Sequence, residues 1–534
     1  MEGCPKVKFG RADDFLARLD KYSDKLSTWV GELYLEMHRG TLTTQAKVKK
    51  GNRMCEEALM AVEALYAGCD LANYPAEELD RLWKLLLLNQ FHDILPGSSI
   101  GMVYERTHKE HQEILESCQK LINNLADNMN KNELTVFNSL GVEFKGLIEL
   151  PQGWTGVENL TVQYDSNNSP MVYVELKAFE KIVLKKCEQN IDKVATIDNL
   201  VLENDLVRYE FSDTGEIIFA YDKQENREIF AGVANKFVLY HDRPTVNDAW
   251  DIESNYEVCR YDDIIISSQV SKVNTGALFS EFNFNLKLEK SEIWQNVRLA
   301  HNSKKLEFIT KVNWQESRRL LKVEFPVNAV MPKTIYDIQY GYTERPNHRN
   351  TSWDWAKFEV CMHKYMDLGD EDYGVALIND CKYGVGVKNN TIGLTLLRSP
   401  KYPDTAADMG EHTFSYAVLP HNGNFKDANV MVEAANFNRK PLLITGNLVN
   451  SAYPVSLEKL KGCACIESIK KAEDSNNLVL RIVEKHGRIA SCKLNIENNV
   501  DAYEIDMLEW ENGTKVENNI LNFKPFEIKT IILK

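Results

Sequence analysis

Hydrophobic and polar positions alternate with two different periods, and the change falls near residue 132. Up to that point the spacing is helical. Residues 11–22, RADDFLARLDKY, predict a short helix with acids in its first turn, where the helix dipole favours them. Residues 43–67 place Val48, Cys55, Leu59, Val62 and Leu65 near one face of a longer helix. Asn73, Tyr74 and Pro75 then break the pattern, and Pro75 followed by Glu77 and Glu78 predicts a new helix start. In that helix Leu79, Leu82, Trp83, Leu86, Leu87 and Gln90 recur at i, i+3, i+4, i+7, i+8 and i+11. A fourth helix over about 100–129 carries Ile100, Val103, Thr107, Ile114, Cys118, Leu121 and Leu125 on one stripe. Three long helices joined by short breaks predict a bundle.

Beyond Asn132 the period is two. Val207, Tyr209 and Phe211 alternate with Arg208 and Glu210, and Phe282, Phe284, Leu286 and Leu288 with Asn283, Asn285, Lys287 and Glu289. Leu306, Phe308, Thr310 and Val312 repeat the pattern, and turn signals stand at residues 167–170, 214–215 and 512–513. Four hundred residues of this text predict stacked antiparallel sheets in more than one sandwich. The expected fold class is α+β multidomain: a three-helix-bundle-like domain followed by large antiparallel β-sandwich domains.

The candidate chemistry sits where the leucine-rich helix stops. Residues 83–101 read WKLLLLNQFHDILPGSSIG, so His92 and Asp93 fall between the helix and a Pro-Gly-Ser-Ser turn. An adjacent imidazole and carboxylate there fit a metal ligand beside a hydroxyl acceptor. They also fit a core histidine followed by a loop aspartate, which a single ligand type at one position favours, and the pattern leaves both readings open.

Composition narrows the class of function. The 534 residues are 44% hydrophobic and 26% charged, with a net charge of -15 that disfavours a nucleic-acid partner. The one basic run, Lys47, Lys49, Lys50 and Arg53, reads as a solvated helix face. No apolar run reaches membrane-spanning length, and the opening MEGCPKVKFG has no apolar signal region. Eleven scattered cysteines without a paired framework point to reduced thiols and a cytoplasmic location. Cys463 and Cys465 read as strand residues sharing one face.

Several longer stretches carry a family resemblance. HRGTLTTQAKVKKGNR (38–53) and NQFHDILPGSSIG (89–101) resemble central-domain motifs of the family 38 glycoside hydrolases, the α-mannosidases, and in particular their leaderless cytosolic branch. VFNSLG (136–141), RPNHRNTSWDWAKFEV (345–360), NDCKYG (379–384) and GEHTFSYAVLPH (410–421) extend the resemblance over nearly the whole chain. It implies retaining hydrolysis of terminal α-D-mannosyl residues assisted by Zn2+ or another divalent cation such as Co2+. It implies that His92 is a metal ligand and that Asp93 contacts substrate hydroxyls, with His38 and Arg39 edging the same pocket. Leu42 stands where many relatives have a tyrosine, so that wall is expected to differ.

One departure is larger. The family's first metal-binding element is an H-x-D pair in an N-terminal α/β domain, which also carries the catalytic carboxylates, and no H-x-D occurs in this sequence. The nucleophile and acid are therefore unassigned. Asp354, Glu359, Asp380 and Glu411 are expected to be structural or solvated. The expected domains are a remnant of that α/β domain (1–26), the helical bundle (27–132), a small β region (133–196), a large β-sandwich (197–435) and a C-terminal β-sandwich (436–534). The expected partners are a mannose-containing oligosaccharide, an N-terminal half chain and a further copy of the chain, with no nucleic acid and no membrane. The alternative is a non-catalytic carbohydrate-binding or scaffold protein, using some of its nine tryptophans and 22 tyrosines as sugar platforms. Trp250, Trp353 and Trp355 are as well explained as core.

Overall fold

The computed structural model describes residues 3–125, 130–188, 195–448, 455–496 and 500–534. Two compact units divide at Leu35. The first, up to Leu35, holds helix α1 (Ala12–Asp20), which buries none of its residues, and a 3-10 turn at Ser23–Lys25.

The second unit begins with helices α2 (Ala46–Ala67), α3 (Ala76–Asn89) and α4 (Gly101–Asn124). The α2 stripe is as its spacing predicts: Val48, Cys55, Leu59, Val62 and Leu65 are all buried. In α3, Leu79, Leu82 and Leu86 face inward, while Leu87 is exposed and Trp83 is half-buried with its indole N–H donated to Glu63 Oε1 at 3.0 Å. In α4 the buried stripe includes Tyr104 and His111, and Ile100 is an exposed cap residue. The predicted last residues of this helix, 126–129, lie outside the described residues.

The bundle does not close on itself alone. Leu59, Leu65, Leu82 and Ile114 share one apolar core with Ile466, Ile469, Leu480 and Ile531. Those four come from a five-stranded sheet that includes Cys465–Lys471, Leu478–Val483 and Ile528–Leu533. Of the paired cysteines, Cys465 opens a strand and Cys463 lies in the loop before it.

An 11-stranded antiparallel sheet forms the centre of the unit. Its middle strands are Gly410–Asn422, Leu306–Trp314, Glu292–Ala300 and Phe279–Lys287. In register, Phe282, Val297, Phe308 and Tyr416 form one row on its inner face. A six-stranded sheet packs there, with the Phe325 ring 6.2 Å from Phe308 and 6.1 Å from Tyr416. The two sheets make a β-sandwich, as the alternating text requires. Of two short helices, α5 (Ser352–Ala356) lies between its strands in the chain and α6 (Val430–Asn438) follows the last of them.

The basic run departs from expectation. Lys47 is exposed, but Lys49 and Arg53 are buried. Arg53 donates to Tyr383 Oη at 3.1 Å, Asn438 Oδ1 at 3.1 Å and the His363 carbonyl at 3.0 Å. Every partner lies beyond residue 360, in or beside the strand-rich part of the chain, so this face of α2 is a junction and not a solvated surface.

Candidate functional site

Helix α3 ends at Asn89, and Gln90 anchors the chain beyond it by donating to Asn52 Oδ1 and Glu56 Oε1 on α2. The following turn is held tightly. Ser98 N–H donates to the Asp93 carbonyl, Ser98 Oγ donates to Asp93 Oδ1 at 2.7 Å, and Tyr104 Oη also reaches the Asp93 carbonyl. With one carboxylate oxygen fixed, the other stands 3.4 Å from His92 Nε2. The His92 side chain is 73% exposed and that of Asp93 46%. The imidazole is therefore not a core histidine. Among the described residues its ring neighbour is Phe91, with centroids 4.2 Å apart.

A second loop packs against this turn. His38 (φ 62°) and Gln45 (φ 59°) adopt left-handed backbone conformations on either side of a 3-10 turn at Arg39–Leu42. Such outliers persist where the surroundings over-determine them, and they cluster at functional loops. Lys49 reaches back from α2 to donate to the Thr44 carbonyl and to the Leu95 carbonyl at 2.9 Å. One buried ammonium thus clamps the two loops. Burial pushes its pKa down and that of neighbouring Asp408 up; Asp408 accepts the backbone N–H groups of Gln45 and Ala46 at the start of α2. The approach is close: a Cβ at Gly97, whose φ is +90°, would come within 2.4 Å of the Thr44 carbonyl oxygen.

Arg398, wholly buried, organises the ground beneath. Its Nε donates to Asp242 at 2.7 Å, Nη1 to Thr44 Oγ1 and the Ala249 carbonyl, and Nη2 to the Asp248 and Asp251 carbonyls. A Cβ on Gly40 would fall 2.0 Å from Nη1, so only glycine fits there. Asp251 Oδ1 accepts the Arg39 backbone N–H.

The predicted residues thus fall into two groups. His92 and Asp93 are exposed on one wall. Arg39 is buried, donates Nε and Nη2 to the Ala356 carbonyl and lies 4.4 Å from the Phe358 ring centroid, while His38 is half-buried beside it. Trp353 and Trp355 are exposed on α5, and Trp250 is half-buried with Tyr402 at 6.4 Å. The acids left unassigned from sequence have structural partners. Glu359 is buried against Lys322 and Thr395, Asp354 caps α5, Asp380 accepts the Ser415 N–H, and Glu411 pairs with Lys311. Sequence reasoning passed over Lys49, Asp251 and Arg398. The signal for Lys49 was its place on the same side of α2 as Val48, Asn52 and Arg53.

Exposed apolar side chains surround the His92 turn: Leu87, Leu88, Phe91, Ile100 and Met102. A catalytic zinc takes about three protein donors. Among the described residues no group of three metal-ligating side chains occurs. His92 and Asp93 therefore do not complete an ion site by themselves. Among the described residues, no helix is long and apolar enough to cross a membrane.

Comparison with known proteins bears on this arrangement. The family model of the alpha mannosidase middle domain matches residues 36–129, the span holding both loops and the bundle. The glycosyl hydrolases family 38 C-terminal domain matches residues 202–406, and the family's C-terminal beta sandwich domain matches residues 464–531. Alpha-mannosidase 2C1 of Mus musculus is 34% identical over 565 residues, covering 100% of this chain and 53% of its own length. Alpha-mannosidase 2C1 of Homo sapiens is 35% identical over 556 residues, with the same coverage. The chain spans about half the length of the curated relatives it matches. The crystal structure of an alpha-mannosidase from Enterococcus faecalis V583 superposes with a TM-score of 0.79 at 17% identity, covering 98% of this chain and 72% of that one, a likeness of fold. In its middle and C-terminal domains the chain belongs to glycosyl hydrolase family 38.

Proposed function

We propose that this chain supplies the central helical and C-terminal β domains of a retaining α-mannosidase acting on terminal α-D-mannosyl residues of an oligosaccharide. The observation that carries the reading is the exposed His92–Asp93 pair on a turn braced by Ser98, Tyr104, Gln90 and Lys49. Bracing of this kind suits a wall that must hold a sugar in one pose, since small displacements of a bound reactant are costly. The proposed roles stay within this chain's own groups. His92 offers one imidazole donor toward a Zn2+ or Co2+ ion, and Asp93 accepts from sugar hydroxyls through the oxygen that Ser98 leaves free. His38 and Arg39 shape the neighbouring edge. Hydrolysis with retention needs two carboxyl groups about 5–5.5 Å apart. These, and the remaining metal donors, are proposed to come from a second polypeptide segment. The apolar patch of Leu87, Leu88, Phe91, Ile100 and Met102 supports that segment's docking beside His92; a second copy of the chain is the other occupant open to test. The bundle over 27–132 would carry the wall, with the β domains as its support. Eleven cysteines, none of them in a disulfide among the described residues, favour the cytoplasm.

The test is hydrolysis of an aryl α-mannoside with added zinc or cobalt. The chain is assayed alone and mixed with a polypeptide that carries an H-x-D pair and the catalytic carboxylates. Activity is expected in the mixture and is expected to vanish in His92→Ala. Absence of activity in every combination, with wild type and His92→Ala alike, would contradict the reading.

A further inference from the structure

The outer face of the 11-stranded sheet carries a second concavity that the His92 site does not use. Its floor is two cross-strand rows. One row runs Gln269, Asn285, Trp294, Lys311 and Thr413; the next runs Asn283, Asn296, Ile309 and Ser415. The groove above them has a volume of about 740 Å³. Asn167, in a tight turn, bounds one end, and Lys50 of α2, donating to the Thr413 carbonyl at 2.7 Å, bounds the other.

The floor is unusual for a solvated sheet face. Trp294 is half-buried and is the groove's largest ring, with the Lys311 ammonium 5.9 Å from its centroid and Glu411 holding that ammonium at 3.1 Å. Around it stand carboxamides, each offering donors on one side and an acceptor on the other. Several of these acceptors have no donor. Asn296 is only 8% exposed, and its Nδ2 is committed to Glu281 Oε2 and Asn283 Oδ1. That commitment turns Oδ1 the other way, where it has no partner. Asn285 Oδ1 is likewise without a donor, as is the Asp380 oxygen that Ser415 does not reach. All three residues border the groove. Buried acceptors left unsatisfied are costly and call for an explanation.

A ligand for this groove must offer a flat apolar face to an indole, and its hydroxyl or amine donors meet those oxygens only as the side chains turn outward, since each oxygen is closed to solvent in the structure. Charge does not select it, because Lys50 and Lys311 are balanced by Asp380 and Glu411. Strand addition does not explain the floor, because the strands carrying Asn285, Trp294, Lys311 and Thr413 are paired on both sides and only the short strand of Gln269 has an open edge. We propose that this groove binds a neutral oligosaccharide at a site separate from the His92 turn. A sugar ring lies on Trp294, its hydroxyls accept from Lys50, and the Asn285, Asn296 and Asp380 side chains turn toward it to take its donors. The proposal stands beside the hydrolytic reading and does not rest on it.

Calorimetric titration of the full chain with mannotriose, maltotriose and cellotriose tests it. At least one trisaccharide is expected to bind in the millimolar range or tighter. Trp294→Ala is expected to weaken that binding about tenfold or more, as loss of an aromatic anchor does, with an unchanged melting temperature. Trp294→Tyr, which keeps a ring, is expected to stay within about threefold of wild type. Binding of at least one trisaccharide is expected to persist in His92→Ala, whatever the His92 turn adds for mannotriose. Should Trp294→Ala melt early, Asn285→Ala decides: binding at least about threefold weaker supports the groove, and unchanged binding overturns it. The proposal also falls if no trisaccharide binds at about 20 mM, if Trp294→Ala binds like wild type, or if His92→Ala abolishes binding.

Discussion

Helix α2 has two buried faces, and they are held by opposite chemistry. Toward the C-terminal sheets it presents Cys55, Leu59, Val62 and Leu65 to a dry core. Toward the large β-sandwich it presents Lys49, Arg53 and Glu57. There Glu57 accepts from Arg439 Nε at 2.5 Å and pairs with Lys364 at 2.6 Å. Burial alone would raise the Glu57 pKa, but these two cations outweigh it and hold the carboxyl far below its ordinary value. The apolar face is non-directional and supplies stability. The polar face fixes where individual oxygens and loops sit, and both loops of the candidate site hang from it. Geometry at the site should therefore fail with the polar junction, and stability without loss of site geometry should fail with the apolar one.

The largest effect expected from breaking this contrast is at Arg398. Arg398→Met removes five hydrogen bonds and leaves Asp242 buried without its cation. Stability should fall by about 3–5 kcal/mol, as for other broken buried pairs. Denaturant melts measure the loss, and limited proteolysis should open first within residues 247–251. In the apolar core that this face joins, Leu82→Ala on α3 should cost about 2–5 kcal/mol through a cavity. Its distinguishing sign is retention of whatever sugar or substrate binding the wild type shows below the melting temperature.

Glu63 gives a smaller and oppositely signed effect. Burial pushes its pKa up from 4.5 to about 7, even with the Trp83 indole donating to it. A raised folded-state value contributes stability that is complete below pH 4.5 and is lost as pH rises through 7. Glu63→Gln should therefore flatten the decline between those limits and raise stability at neutral pH by about 2–3 kcal/mol. Melting curves at closely spaced pH values give the slope directly.

How far the sequence reaches follows the same division. Apolar periodicity located α2, α3 and the alternating strands, because burial of a stripe leaves a regular trace. Leu87 was misplaced because the α3 spacing fits two neighbouring stripes, and only the position of α2 and α4 selects between them. The His92–Asp93 pair was legible because a helix stop and a Pro-Gly turn set it at a boundary. Lys49 and Arg53 read as solvated in the sequence because charge normally marks exposure. Their partners, the Thr44, Leu95 and His363 carbonyls and Tyr383, are main-chain or distant groups that no local pattern reveals. Arg398 and Asp251 are invisible for the same reason: the Arg398 side chain bonds residues 147 or more positions away, and Asp251 reaches Arg39 at a separation of 212.

The most direct test of the account is amide hydrogen exchange in Lys49→Met. The variant keeps the length and apolar stem of the side chain but lacks the ammonium that joins the Thr44 and Leu95 carbonyls. Protection at the Gly97 and Ser98 amides is predicted to fall by about tenfold or more, a local opening of about 1.4 kcal/mol or greater, while the strand Leu478–Val483 stays as protected as in wild type. Unchanged protection of the turn, or an equal loss across both regions, would contradict the claim that the polar junction holds the site in place.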